Sequence, residues 1–98
     1  MQGAKEFLKG FAEALKWYLR AAKQGDVEAQ IHAGNIYRDA TDYIQAHMWY
    51  NIAASRLKGD WRDGTLKDRD GIAARMSSAE ISEAQRLARD WSPQLERS

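Results

Sequence analysis

Through Phe11-Ala12-Glu13-Ala14-Leu15-Lys16-Trp17-Tyr18-Leu19-Arg20-Ala21-Ala22, apolar residues recur at three- and four-residue steps. That spacing is one face of a helix. The series returns at an offset of 32 residues as Tyr43-Ile44-Gln45-Ala46-His47-Met48-Trp49-Tyr50-Asn51-Ile52-Ala53-Ala54. Aromatic meets aromatic, Ala14 meets Ala46, Trp17-Tyr18 meets Trp49-Tyr50, and Ala21-Ala22 meets Ala53-Ala54. Each copy is followed by Gly-Asp, at Gly25-Asp26 and Gly59-Asp60, with two extra residues in the second. Self-similarity at this period is the signature of stacked helical units, each of which buries its apolar face against its neighbours.

The elements follow from the punctuation. Gly25 stands where a helix end needs a left-handed residue, and Asp26 can cap the next helix. That helix, Val27 to Arg38, is expected to turn Ala29, Ala33, Ile36 and Tyr37 inward, with Gly34 at a close helix contact. A turn at 39–42 leads on, with Thr41 or Asp42 as the next cap. The repeated Trp17 and Trp49 are expected in the core, each facing small alanines that admit a neighbouring helix. After Gly59 the pattern decays: Trp61-Arg62-Asp63-Gly64 reads as an irregular turn, followed by a helix from Thr65 to Met76. Ser77 and Glu80 form a capping box for a last helix, Ser78 to Trp91. Ile81, Ala84, Leu87, Ala88 and Trp91 make its apolar stripe, and Pro93 marks its stop.

The expected fold is therefore all-α: antiparallel helical hairpins, about five helices, stacked as an α-solenoid with a C-terminal capping helix. It forms a single domain over residues 1–98, divided into a half-hairpin (4–24), a full repeat (26–57), and a degenerate repeat with capping helix (60–91). Composition agrees, since Ala is by far the commonest apolar residue while Val and Thr are scarce.

Charge narrows the partners. A formal net charge of +1 gives no global electrostatic reason to bind nucleic acid or a membrane. Lys5, Lys9, Lys16, Arg20 and Lys23 bias the first helix towards positive charge. Glu6 and Glu13 interrupt them, and the aromatic interleaving of single-strand binders is missing, so this reads as a solvated face. No stretch is apolar enough to span a bilayer, and Met1 to Lys5 lack the apolar core of a signal peptide. A soluble chain is expected, its compartment left open. Without cysteine there is no disulfide or thiolate zinc site. His32 and His47 have no ligand-spaced companions and read as surface or packing residues. Ser55, Ser77 and Ser78 sit in no nucleophile elbow, and no glycine-rich phosphate loop occurs. Neither catalysis nor a cofactor is expected.

Ala12-Glu13-Ala14-Leu15-Lys16-Trp17-Tyr18, Ala21-Ala22, Gly25-Asp26, Glu28-Ala29-Gln30, Gly34 and Tyr37 resemble the Sel-one-like repeat, a tetratricopeptide relative. The likeness covers Phe11 to Ala54. The tail, Arg69-Asp70, Ala73-Ala74-Arg75-Met76 and Glu83-Ala84-Gln85-Arg86-Leu87-Ala88, is similar to the endings of bacterial members. The chain departs from the family in its shortened loop before Tyr43, and in Asp68, which stands where a small residue is expected.

What the resemblance implies is an interaction scaffold that presents a concave helical surface to a peptide or protein. Carried onto this sequence, the partner-facing positions are Glu28, Ile31, Asn35, Arg38 and Asp39. Their spacing puts them on one helix face, where ordinary solvated residues would share that spacing. Trp61, which has no repeat counterpart, is a further candidate contact. The alternative is a structural cap that closes a longer array without binding a partner itself. In family terms the first helix is the second half of a hairpin, leaving Phe7, Leu8 and Phe11 to be covered. Excision from a longer array is the preferred explanation; self-association through the half-hairpin is the other.

Overall fold

A computed structural model describes the backbone of residues 2–94 and the side chains of residues 10–94. Five α-helices follow one another: α1 (Gln2–Lys23), α2 (Val27–Asp39), α3 (Tyr43–Ala54), α4 (Gly59–Ala73) and α5 (Ser78–Asp90). No strand occurs among the described residues.

The turns are built by the residues that the pattern singles out. Gly25 takes φ +106°, and the Asp26 carboxylate accepts the Ala29 N–H at 2.9 Å, capping α2. At the next turn the two candidate caps divide the work. Asp42 accepts from Gln45 N–H at 3.3 Å, while Thr41 takes the left-handed conformation at φ 61°. Before α5 both halves of the capping box form: Ser77 Oγ accepts the Glu80 N–H at 3.1 Å, and Glu80 Oε1 accepts the Ser77 N–H at 2.9 Å.

α4 differs from expectation at both ends. It begins at Gly59 (φ 64°) and runs straight through Trp61–Gly64, then stops at Ala73, short of Met76. Asp60 lies in its first turn, where a carboxylate favours the helix N-terminus. The Thr65 hydroxyl donates to the Trp61 carbonyl at 2.9 Å. Packing of Thr65 and Ile72, the two buried residues of α4, outweighs the helix cost of Gly64, about 1 kcal/mol relative to alanine.

α3 is the centre of the molecule. It packs against α2, α4 and α5, while α1 packs against α2. Ala46 to Tyr50 and Ile52 to Ala54 are all buried, so α3 is apolar almost all round, as a helix enclosed by others must be. One core cluster joins Ala22, Ala29, Ala33, Met48, Trp49 and Ile52, with Leu19, Tyr37, Leu87 and Trp91 packed around it. A second joins Ala46, Tyr50 and Ile72, flanked by Tyr37 and Tyr43. Tyr37 bridges the two.

The repeated tryptophans do not share an environment. Trp49 is 2% exposed, whereas Trp17 is 61% exposed, contrary to the core position expected for both. The reason is topological: α3 has helices on three sides, whereas among the described residues α1 packs mainly on α2.

The capping helix closes on α3, and the chain beyond it returns to the start of the fold. The Trp91 ring meets Trp49 edge-on, with centroids 5.9 Å apart. Gln94 N–H then donates to the Lys23 carbonyl at 2.6 Å, satisfying an acceptor in the last turn of α1. Arg56 Nη1 donates to the Gly25 carbonyl at 2.9 Å. The α1–α2 turn is thus held from α3 and from the C-terminal segment together.

Candidate interaction surface

α1 has two unlike flanks. On one, Ala12, Leu15 and Leu19 form an apolar floor, one to two helical turns apart. Lys16, Arg20 and Lys23 rise along the same groove, and Gln24 and Gln94 close its end. The groove is open, with a volume of about 670 Å³. Among the described residues no carboxylate lines it, and Lys16 and Lys23 make no ion pair. On the other flank the Arg20 guanidinium sits 5.8 Å from the centre of the exposed Trp17 ring, and Tyr18 stacks on His32 at 4.7 Å.

Of the six residues expected to face a partner, Asn35, Arg38 and Asp39 lie together through Arg38, which donates to Asn35 Oδ1 at 3.4 Å and to Asp39 Oδ1 at 3.3 Å. Glu28 lines a shallow depression with Trp17, Tyr18 and His32 at the α1–α2 junction. Ile31 is half-buried. Asn35 and Arg38 are engaged with the buried Tyr50: its hydroxyl donates to Asn35 Oδ1 at 2.6 Å, and Arg38 Nη1 donates to that hydroxyl at 3.2 Å. Burial pushes the Tyr50 pKa up to about 12, so the hydroxyl is a lasting donor. Asp39 pairs with Arg38 at 3.3 Å. Arg38 also borders a cleft with Tyr43, Asp68, Gly71, Ile72 and Arg75, in which charges of both signs lie together. Trp61 is 56% exposed, on the first turn of α4. The structure does not gather these six into one patch.

His47 serves packing. Asn51 Nδ2 lies 3.1 Å from its Nδ1, and Arg69 Nη1 donates to Asn51 Oδ1 at 2.8 Å. An amide nitrogen can only donate, so Nδ1 accepts and the neutral ring carries its proton on Nε2. Burial, with the Arg69 charge in support, holds the His47 pKa below the usual histidine value. Among the described residues no helix is long and apolar enough to cross a membrane.

The α1 floor was legible in part. Leu15 and Leu19 stand in the periodic apolar segment, but periodicity alone does not say that they line open space. Phe7 and Leu8 lie outside the residues whose side chains are described, and Phe11 is half-buried.

No family model matches this chain, and comparison with curated proteins and with solved structures finds no match.

Proposed function

We propose that this chain is a protein-interaction module of the Sel-one-like, tetratricopeptide-related kind, presenting a helical surface to a peptide or protein and catalysing no reaction itself. The observation that carries this reading is the open apolar face of α1: Ala12, Leu15 and Leu19 flank a groove of about 670 Å³. A concave apolar surface rimmed by polar groups is the form that helix-in-groove recognition takes. The internal repeat supports the family part, because its two copies form α1 and α3, each followed by a positive-φ glycine at Gly25 or Gly59. Within this reading the groove on α1, more than the α2 residues, is the principal contact surface.

The test is amide chemical-shift mapping with a panel of helical and extended peptides. Perturbations concentrated on residues 12–23 are expected. A panel that shifts no residue of α1 would sink the reading.

A second reading has one observation in its favour. The outer face of α5 is charged and internally paired, with Arg86 bridging Glu83 at 2.6 Å and Asp90 at 3.3 Å. Such a face suits a structural cap that ends an array and binds nothing. In that case the chain would stabilise upstream repeats joined to it and ignore every peptide.

A further inference from the structure

We infer that the α1 groove accepts an acidic amphipathic helix, with the partner's apolar stripe on Ala12, Leu15 and Leu19 and its carboxylates against Lys16 and Lys23. The inference rests on the interaction-module reading and adds the chemistry of the occupant.

Shape selects a helix. The groove runs beside α1 from Ala12 to Lys23, which at 1.5 Å per residue is roughly 17 Å, or three turns. Its floor residues stand at i, i+3 and i+7, the ridge that packs into the groove of a second helix. Ala12 is small and lets the partner backbone come close at one end. Gln24 and Gln94 end the apolar floor at the other.

Charge selects the partner. Lys16 and Lys23 line the groove, and among the described residues no carboxylate lines it. A second copy docked through the same face would set Lys16 and Lys23 of both chains against each other, and juxtaposed like charges reject a partner. Carboxylates flanking an apolar stripe meet both requirements at once. Nucleic acid would find its anions matched but no stacking surface on an aliphatic floor.

The experiment uses the whole chain and three fluorescein-labelled synthetic peptides of about 14 residues, matched to three to four helical turns. One carries leucines at helical spacing flanked by glutamates, one has lysines in place of the glutamates, and one scrambles the acidic sequence. Anisotropy is expected to give at least about tenfold tighter binding for the acidic helix, weakening as salt rises from roughly 0.05 to 0.5 M. Leu15→Glu should abolish it. The surface pair Lys16→Glu and Lys23→Glu, which cannot disturb the core, should reverse the preference towards the lysine peptide.

Equal binding of acidic and basic helices, still lost in Leu15→Glu, would overturn the acidic partner while leaving the interaction module standing. Binding untouched by Leu15→Glu would overturn the groove as the site. Failure of every peptide, with a chain mass that doubles on concentration and reverts in Leu15→Glu, would show that a second copy occupies the groove. Failure with an unchanged monomer mass would overturn both this inference and the interaction module.

Discussion

Gly34 and the ring of Tyr50 touch so closely that a β-carbon on Gly34 would lie 2.7 Å from Tyr50 Cε1 and 2.8 Å from Cδ1. Tyr50 cannot retreat, because it is fully buried and its hydroxyl is tied to Asn35 on the same helix as Gly34. Elsewhere in a helix, Gly→Ala stabilises by up to about 1 kcal/mol. Here Gly34→Ala should instead destabilise by roughly 1–3 kcal/mol through overpacking. Urea denaturation of Gly34→Ala, Tyr50→Leu and the double variant tests this. The double variant should be more stable than the sum of the single effects predicts, and simple additivity would refute the contact.

Tyr50 also sets an alkaline limit. Its folded pKa is raised to about 12 from 10.0, so the folded state holds the proton more tightly than the unfolded chain. That stability is complete below pH 10 and is lost as pH rises through 10 towards 12. Tyr50→Phe should lower stability at neutral pH by about 1 kcal/mol, since the hydrogen bond to Asn35 goes. It should also flatten the loss between pH 10 and 12. Some alkaline loss will persist, because burial, with Asp42 in support, also raises Tyr37.

On the acid side the sign reverses. The folded His47 pKa lies below 6.5, so the unfolded chain takes up the proton first. The stability from neutral His47 is present above pH 6.5 and declines as pH falls below it. Urea midpoints at pH 7.5 and 5.5 should differ in the parent chain, and the difference should shrink in His47→Gln.

Thr41 stands at φ 61°, a region that β-branched residues avoid. Its hydroxyl reaches only the neighbouring Ala40 carbonyl, in an exposed turn. Thr41→Asn keeps a polar side chain and tolerates the left-handed conformation. The melting temperature should rise, corresponding to about 0.5–1 kcal/mol. No rise would mean that Thr41 carries no strain.

Trp91 fastens the C-terminal segment to the core. Trp91→Ala removes the edge-on contact with Trp49 and the anchor that brings Gln94 to the Lys23 carbonyl. Because the ring is half-buried, the cost should be about 2 kcal/mol, below that of a fully buried tryptophan. Hydrogen exchange should quicken at Gln94 and in the α1–α2 turn. Exchange there at the parent rate would show that the segment does not depend on Trp91.

How far the sequence reaches differs between local and distant features. The caps at Asp26, Asp42 and Ser77 were readable because each depends on residues within a turn, and Gly34 was readable as a close contact because a glycine inside a helix marks one, although its partner Tyr50 was not. α4 was misread at Trp61–Gly64, since a glycine-containing polar run looks like a turn until Thr65 and Ile72 find buried places against other helices. What holds the α2 positions was not legible for a related reason. Helical spacing puts Asn35 and Arg38 on the outer face, but Tyr50, from a helix 15 residues further on, supplies a buried hydroxyl that recruits both.

By itself the sequence determined the helical class, the repeat and the turn chemistry, because periodicity and capping act over a few residues. Only the tertiary structure decided which equivalent residues are buried. Trp17 and Trp49 occupy the same repeat position, yet α3 is enclosed by α2, α4 and α5 while α1 packs chiefly on α2. Burial depends on how many neighbours a helix acquires, and a local pattern does not encode that number. The same asymmetry leaves Ala12, Leu15 and Leu19 beside open space, which makes α1 the surface to test.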